Sequence, residues 1–184
     1  MSSTHSGPVS LVLGATGGIG GALSHHLHER GHRVIAAGRD QGRLDELAET
    51  LGVRTLAFDA TAFEEVDAAV EEVLRQEGRL DGVAHCVGTV FLRPAHRTDP
   101  EQWQEVLATN LGSAFAVVRA VTGPMMKAKG GSIVLTASAA AEVGMANHEA
   151  IAAAKAGVAG LVRSAAATYA RFGVRVNAVA PGLV

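Results

Sequence analysis

The stretch VSLVLGATGGIGGALSHHLHER, Val9 to Arg30, constrains this chain more than any other. A short apolar run, Val9 to Leu13, meets a turn crowded with Gly14, Gly17, Gly18 and Gly20, and an amphipathic segment opens directly after it. That order reads as strand, glycine turn, helix. Glycines admit positive φ and let the backbone come close to a ligand, while the free N–H groups and positive dipole end of a new helix attract phosphate. The turn is therefore a candidate pyrophosphate cradle. Its spacing, Gly14-x-x-x-Gly18-x-Gly20, is neither Gly-x-Gly-x-x-Gly nor a P-loop, since no Gly-Lys-Ser/Thr follows. Taken alone, the cluster leaves an ordinary tight turn as the alternative.

The alternation continues. Arg33 to Ala37 and Val53 to Phe58 are compact apolar runs, and Gln41 to Thr50 between them is helix-like, with Gly52 closing it. Phe63, Val66, Val70, Val73 and Leu74 share one helical face, with Glu64, Glu65, Glu71 and Glu72 largely opposite. Gly82 to Val87 reads as a fourth strand. Thr98-Asp99-Pro100-Glu101 offers an N-cap, a first-turn proline and an early carboxylate, so one long helix is expected from there until Gly123-Pro124 disturbs it. Ser132 to Thr136 is the fifth strand, Glu149 to Phe172 an alanine-rich helix ended by Gly173, and Val174 to Val179 the sixth strand. Such alternation implies an α/β fold: a doubly wound parallel sheet with helices on both faces and strand order 3-2-1-4-5-6. Ligands of such sheets sit at the switch point between strands 1 and 4, so Gly14 to Gly20 and Cys86 to Gly88 should share a crevice.

The 184 residues are expected to form a single domain over 9–184, with a disordered N-terminus over 1–8. Net charge is −2 with no Lys/Arg block, so a small-molecule partner is expected and no nucleic acid. No apolar run approaches the ~18 residues of a membrane span, so no membrane is expected. A lone cysteine and an N-terminus without signal-peptide features place the chain in the cytoplasm.

From Val9 to its last residue the chain resembles the short-chain dehydrogenase/reductase family. The family's Thr-Gly-x-x-x-Gly-x-Gly turn is matched by Leu13-Gly14-Ala15-Thr16-Gly17-Gly18-Ile19-Gly20, with Leu13 in place of the threonine. Asp59, followed by Ala60, stands where the family's aspartate meets the adenine amino group. Asn110 matches the asparagine of its proton relay, Ser138 its catalytic serine, Lys155 the lysine of Tyr-x-x-x-Lys, and Pro181-Gly182 the turn beside the nicotinamide. The resemblance implies a Rossmann-type domain that holds a nicotinamide dinucleotide and works on a carbonyl/alcohol pair. It also implies a homo-oligomer through the helices at 98–126 and 149–172. At the end of strand 2, Gly38-Arg39 suits a ribose 2′-phosphate, so NADP(H) is expected, with NAD(H) as runner-up because Asp40 follows.

The pattern breaks in three places. Ile151 occupies the position of the family's tyrosine, and isoleucine passes no proton. Tyr169 is fourteen residues past Lys155, ~21 Å along a helix, and cannot stand in. His148, one turn before Ile151, is the best substitute acid, with Glu149 a poorer second and Lys155 acting through water a third; the plain alternative is that His148 caps the helix. His85-Cys86-Val87-Gly88 replaces Asn-Asn-Ala-Gly, keeping Gly88 for close approach and putting a small core residue at Cys86. His25, His26 and His28 read as a solvated helix face, with no metal expected. Finally, the sequence given stops at Val184, short of the family's substrate lid and last strand, which leaves strand 6 with an open edge. Three functions follow: an oxidoreductase with an altered proton donor; a dinucleotide-binding protein without turnover, as a redox sensor or a partner subunit; or an inactive fragment.

Overall fold

The computed structural model describes residues 7–182; the others lie outside the described residues. Six strands form one parallel sheet in the order β3-β2-β1-β4-β5-β6: β1 (Val9–Leu13), β2 (Arg33–Gly38), β3 (Arg54–Ala57), β4 (Gly82–His85), β5 (Gly131–Thr136) and β6 (Val174–Val179). The expected strand order holds in full. Leu13 sits between Ala37 on one side and His85 on the other, so β1, β2 and β4 end level with one another. The order reverses between β1 and β4, and the loops that leave these two strands part there to opposite sides.

The two faces follow from side-chain alternation. Val12, Val34, Ala36 and Ala84 pack under α1 (Gly18–Glu29) and α2 (Gln41–Leu51). Leu11, Leu13, Ile35, Val83, Ile133 and Leu135 face α3 (Phe63–Glu77), α5 (Ser113–Lys127) and α6 (Glu149–Tyr169). Helix ends obey local chemistry: Asp40 caps α2 by accepting from Arg43 N, and Gly52 closes it in the left-handed region.

Several expectations need correction. The segment from Thr98 is not one helix. α4 (Pro100–Leu107) begins on Asp99, which forms a capping box with Gln102, and a π-helical turn, Ala108–Gly112, separates α4 from α5. Pro124 does not end α5, which runs on to Lys127. The proline forfeits one backbone bond in the last turns, and burial of Val121 and Met125 against the sheet outweighs it. β4 stops at His85, two residues early, because Cys86 to Gly88 turn away to wall the crevice. Of the N-terminus expected to be disordered over 1–8, residues 1–6 lie outside the described residues, and Pro8 O accepts from Arg33 N at 2.9 Å. Against the expectation that no apolar stretch approaches a span's length, residues 100–127 and 149–172 are long and apolar enough to cross a bilayer by length and composition. Half of the first window and 39% of the second are buried within the fold, as the core helices of an α/β sandwich would be.

Candidate functional site

The glycine turn is built as its sequence requires. Gly14 has φ +76°, open to glycine at little cost, and a Cβ there would stand 2.8 Å from the Cys86 carbonyl group. A Cβ on Gly20 would lie 2.2 Å from Gly14 O, so the turn and the first turn of α1 touch backbone to backbone. Gly17 N donates to Gly14 O and Gly21 N to Gly17 O. Between them lie the first-turn amides of Gly18, Ile19 and Gly20, and no side chain caps this helix.

The glycine turn ahead of α1 borders a crevice of about 270 Å³ at the ends of β1, β2 and β4. Gly14, Thr16 and Gly17 line one wall and Cys86, Val87 and Gly88 the other, so the two loops share one crevice as expected. Arg39, Asp59 and Ala60 close its far end. Arg43, which sequence reasoning missed, stands there too and donates from Nη2 to Thr16 O. Its signal was present: four residues past Arg39, in the first turn of α2, it brings a second guanidinium to the same crevice. Asp40, read as counting against a 2′-phosphate, is committed to capping α2. Asp59 Oδ1 accepts from Thr61 N and Thr61 Oγ1, both at 2.8 Å. The Thr61 amide holds its carboxyl below the usual range against the opposing effect of burial, with the Thr61 hydroxyl and Arg39 assisting.

Beyond the Cys86–Gly88 wall lies a second cavity of about 430 Å³, predominantly apolar, lined by Ile19, Val90, Leu92, Met145 and Ile151 among others. Ser138, His148, Lys155, Pro181 and Gly182 open onto it. Lys155 is buried, and its Nζ donates to Thr136 O at 2.8 Å. Burial pushes its pKa down, since the charged ammonium loses hydration there. Gly88 is what admits it: a Cβ there would be 3.2 Å from Lys155 Nζ and 2.9 Å from Asn110 Oδ1. Ser138 Oγ accepts from Ala140 N at 3.2 Å, which leaves its hydrogen free to donate. Ala139 N donates to Pro181 O, fixing the Pro181-Gly182 turn against the same loop. His148 Nδ1 donates to Ala146 O at 2.7 Å, so Nε2 is the nitrogen open to protonation.

Asn110 is fully buried in the π-helical turn and its carboxamide is spoken for. Nδ2 donates to Val106 O and Thr89 Oγ1, and Oδ1 accepts from Thr89 N. The side chain therefore holds the loop after Gly88. Ile151, 7% exposed, packs with Val106, Ala150 and Ala154 one turn before Lys155 on the same face of α6. Tyr169 packs against the main core instead. Cys86 is half-buried, and burial pushes its thiol pKa up. His25, His26 and His28 are exposed, and no cluster able to hold a metal occurs among the described residues.

Comparison with known proteins gives a consistent result. The family model described as short chain dehydrogenase matches residues 8–184. D-threitol dehydrogenase of Mycolicibacterium smegmatis is 36% identical over 183 residues, spanning 97% of this chain and 70% of its own length. Among solved structures, an actinorhodin polyketide ketoreductase variant with NADPH superposes with a TM-score of 0.94 at 31% identity, covering all of this chain and 73% of that one. An NAD+-bound xylitol dehydrogenase gives 0.91 at 31% identity, over 98% of this chain and 72% of that one.

Proposed function

This chain belongs to the short-chain dehydrogenase family, a family of oxidoreductases, and we propose that it is an NADP(H)-dependent enzyme acting on a carbonyl/alcohol pair with an altered proton donor. The observation that carries this reading is the junction of the two cavities. A crevice walled by the glycine turn that opens into the uncapped helix α1, and lined also by two guanidiniums, meets, across Gly88, an apolar chamber holding Ser138 and Lys155.

The residues present suit a phosphorylated dinucleotide. The amides of Gly18, Ile19 and Gly20 point their dipoles toward a diphosphate beside Gly14 and Gly17, and the Thr16 hydroxyl adds a donor. Arg39 and Arg43 would hold a ribose 2′-phosphate, and Asp59 keeps one oxygen unspent for an amino group. When bound, the dinucleotide supplies or accepts the hydride.

The chain's own residues must then manage the oxygen and its proton. The Ser138 hydroxyl donates to the substrate oxygen. Lys155 spends one of its three hydrogens on Thr136 O and keeps two, and its lowered pKa makes its ammonium a stronger acid than a solvated lysine. His148 is the other source, as an imidazolium releasing from Nε2. Ile151 supplies apolar wall where the family has its acid. In the same reading, copies of the chain pair through α4, α5 and α6, where Trp103 and Phe115 remain exposed.

One observation favours a second reading, dinucleotide binding without turnover: the tyrosine position is filled by a buried isoleucine in an apolar cluster. The test follows NADPH consumption with a panel of carbonyl compounds for wild type, His148→Ala and Ile151→Tyr. Turnover by wild type supports the enzyme, and its loss in His148→Ala assigns the acid. Turnover by Ile151→Tyr alone establishes the second reading.

A further inference from the structure

The last residue of β4, His85, is 1% exposed and faces the α5 side of the sheet. Its Nε2 lies 2.8 Å from Ser113 Oγ, and Ser113 is itself fully buried at the start of α5. The Ser113 hydroxyl has one hydrogen, which it donates to Thr109 O at 2.6 Å. Its oxygen therefore accepts from His85, which fixes the ring as the Nε2–H tautomer and leaves Nδ1 buried without a partner among the described residues.

The location explains why a buried imidazole is retained at that cost. Ser113 N bonds to Ala108 O, five residues back, so the ordinary i→i−4 donor for Thr109 O has been diverted by the π-helical turn. The Ser113 hydroxyl takes up that carbonyl, and His85 holds the hydroxyl. Asn110, within the same turn, grips Thr89. The wall Cys86-Val87-Gly88, which borders both cavities, is thus pinned to one π-helical turn at each end: at His85 through Ser113, and at Thr89 through Asn110. The His85 carbonyl also accepts from Thr136 Oγ1, and Thr136 O accepts from Lys155, so the strand end is tied to the lysine as well.

We propose that His85, acting through Ser113, is a positioning residue that keeps the Asn110 turn in register and thereby holds the wall between the crevice and the apolar chamber in its binding geometry. Its consequence for nucleotide affinity rests on the function proposed above; its consequence for the wall does not. His85→Leu keeps the volume and removes both the donor and the unpaired Nδ1, whereas His85→Gln restores an N–H at similar reach. Two measurements are made on the full chain: amide hydrogen exchange, and NADPH affinity by calorimetry. In His85→Leu, exchange is expected to rise over 86–89 and 108–113 without a drop in unfolding midpoint. NADPH is expected to bind about fivefold more weakly, the weight of one net hydrogen bond. His85→Gln should stay close to wild type in both. If His85→Leu shows wild-type exchange over those residues, or if His85→Gln is as impaired as His85→Leu, the proposal is overturned. If wild type does not bind NADPH, the proposed function fails, and exchange alone still decides the role of His85.

Discussion

Replacing His85 by leucine should flatten the acid limb of the stability curve. Burial in the core pushes the His85 pKa down to about 3, with the positive charge of Lys155 adding to the effect. In the unfolded chain the ring titrates near the ordinary value of ~6.5. Between these two values the unfolded state binds a proton that the native state refuses, so stability falls as pH falls. The loss begins below pH ~6.5, costs about 1.4 kcal/mol per pH unit, and is complete near pH 3. From pH 7 to 4.5 it amounts to about 3 kcal/mol, a large part of the stability of a domain this size. Urea unfolding of wild type and His85→Leu at several pH values isolates it, because titrating carboxylates common to both proteins cancel in the difference. The leucine variant should gain about 3 kcal/mol on wild type between pH 7 and 4.5. Parallel curves would show that the ring is hydrated or charged in the native state, and the buried Nε2–H tautomer would be wrong.

Two further outcomes follow from the turn and the crevice. Gly20→Ala places a methyl 2.2 Å from Gly14 O, where only backbone can yield; it should destabilise the fold by ~1–3 kcal/mol, read as a lowered urea midpoint. Arg39→Ala and Arg43→Ala should each weaken NADPH binding by about tenfold, the weight of a charge-assisted bond, and leave NADH unchanged. Equal losses for both nucleotides would remove the 2′-phosphate assignment.

Much of the architecture was legible because it rests on strong local signals. The glycine turn, the pace of strand and helix, and the helix stop at Gly52 determine a parallel sheet whose order follows from right-handed crossovers, whereas the capping role of Asp40 emerged only in the structure. What escaped is what periodicity does not encode. A π-helical turn adds one residue to the ladder between Leu107 and Ser113, too little to disturb the apolar pattern of the flanking helices. Pro124 reads as a breaker, yet packing around Met125 overrides its local preference. Asn110 was legible as a polar residue of interest, but not as the clamp on Thr89, which depends on a contact across twenty-one residues. His85 looked like a substituted asparagine; its link to Ser113, twenty-eight residues away, exists only once β4 and α5 are packed.

The central claim is that main-chain amides around the glycine turn hold a dinucleotide diphosphate. Gly17→Ala tests it most directly, because Gly17 lines the crevice and its added methyl would sit 3.3 Å from Gly14 O, close enough to crowd the cradle while the fold adjusts by tenths of an ångström. Calorimetric titration with NADP+ should show binding by wild type and a loss of at least about tenfold, or roughly 1.4 kcal/mol, in Gly17→Ala at an unchanged unfolding midpoint. Equal affinity in the two proteins, or no binding by wild type, would contradict the account.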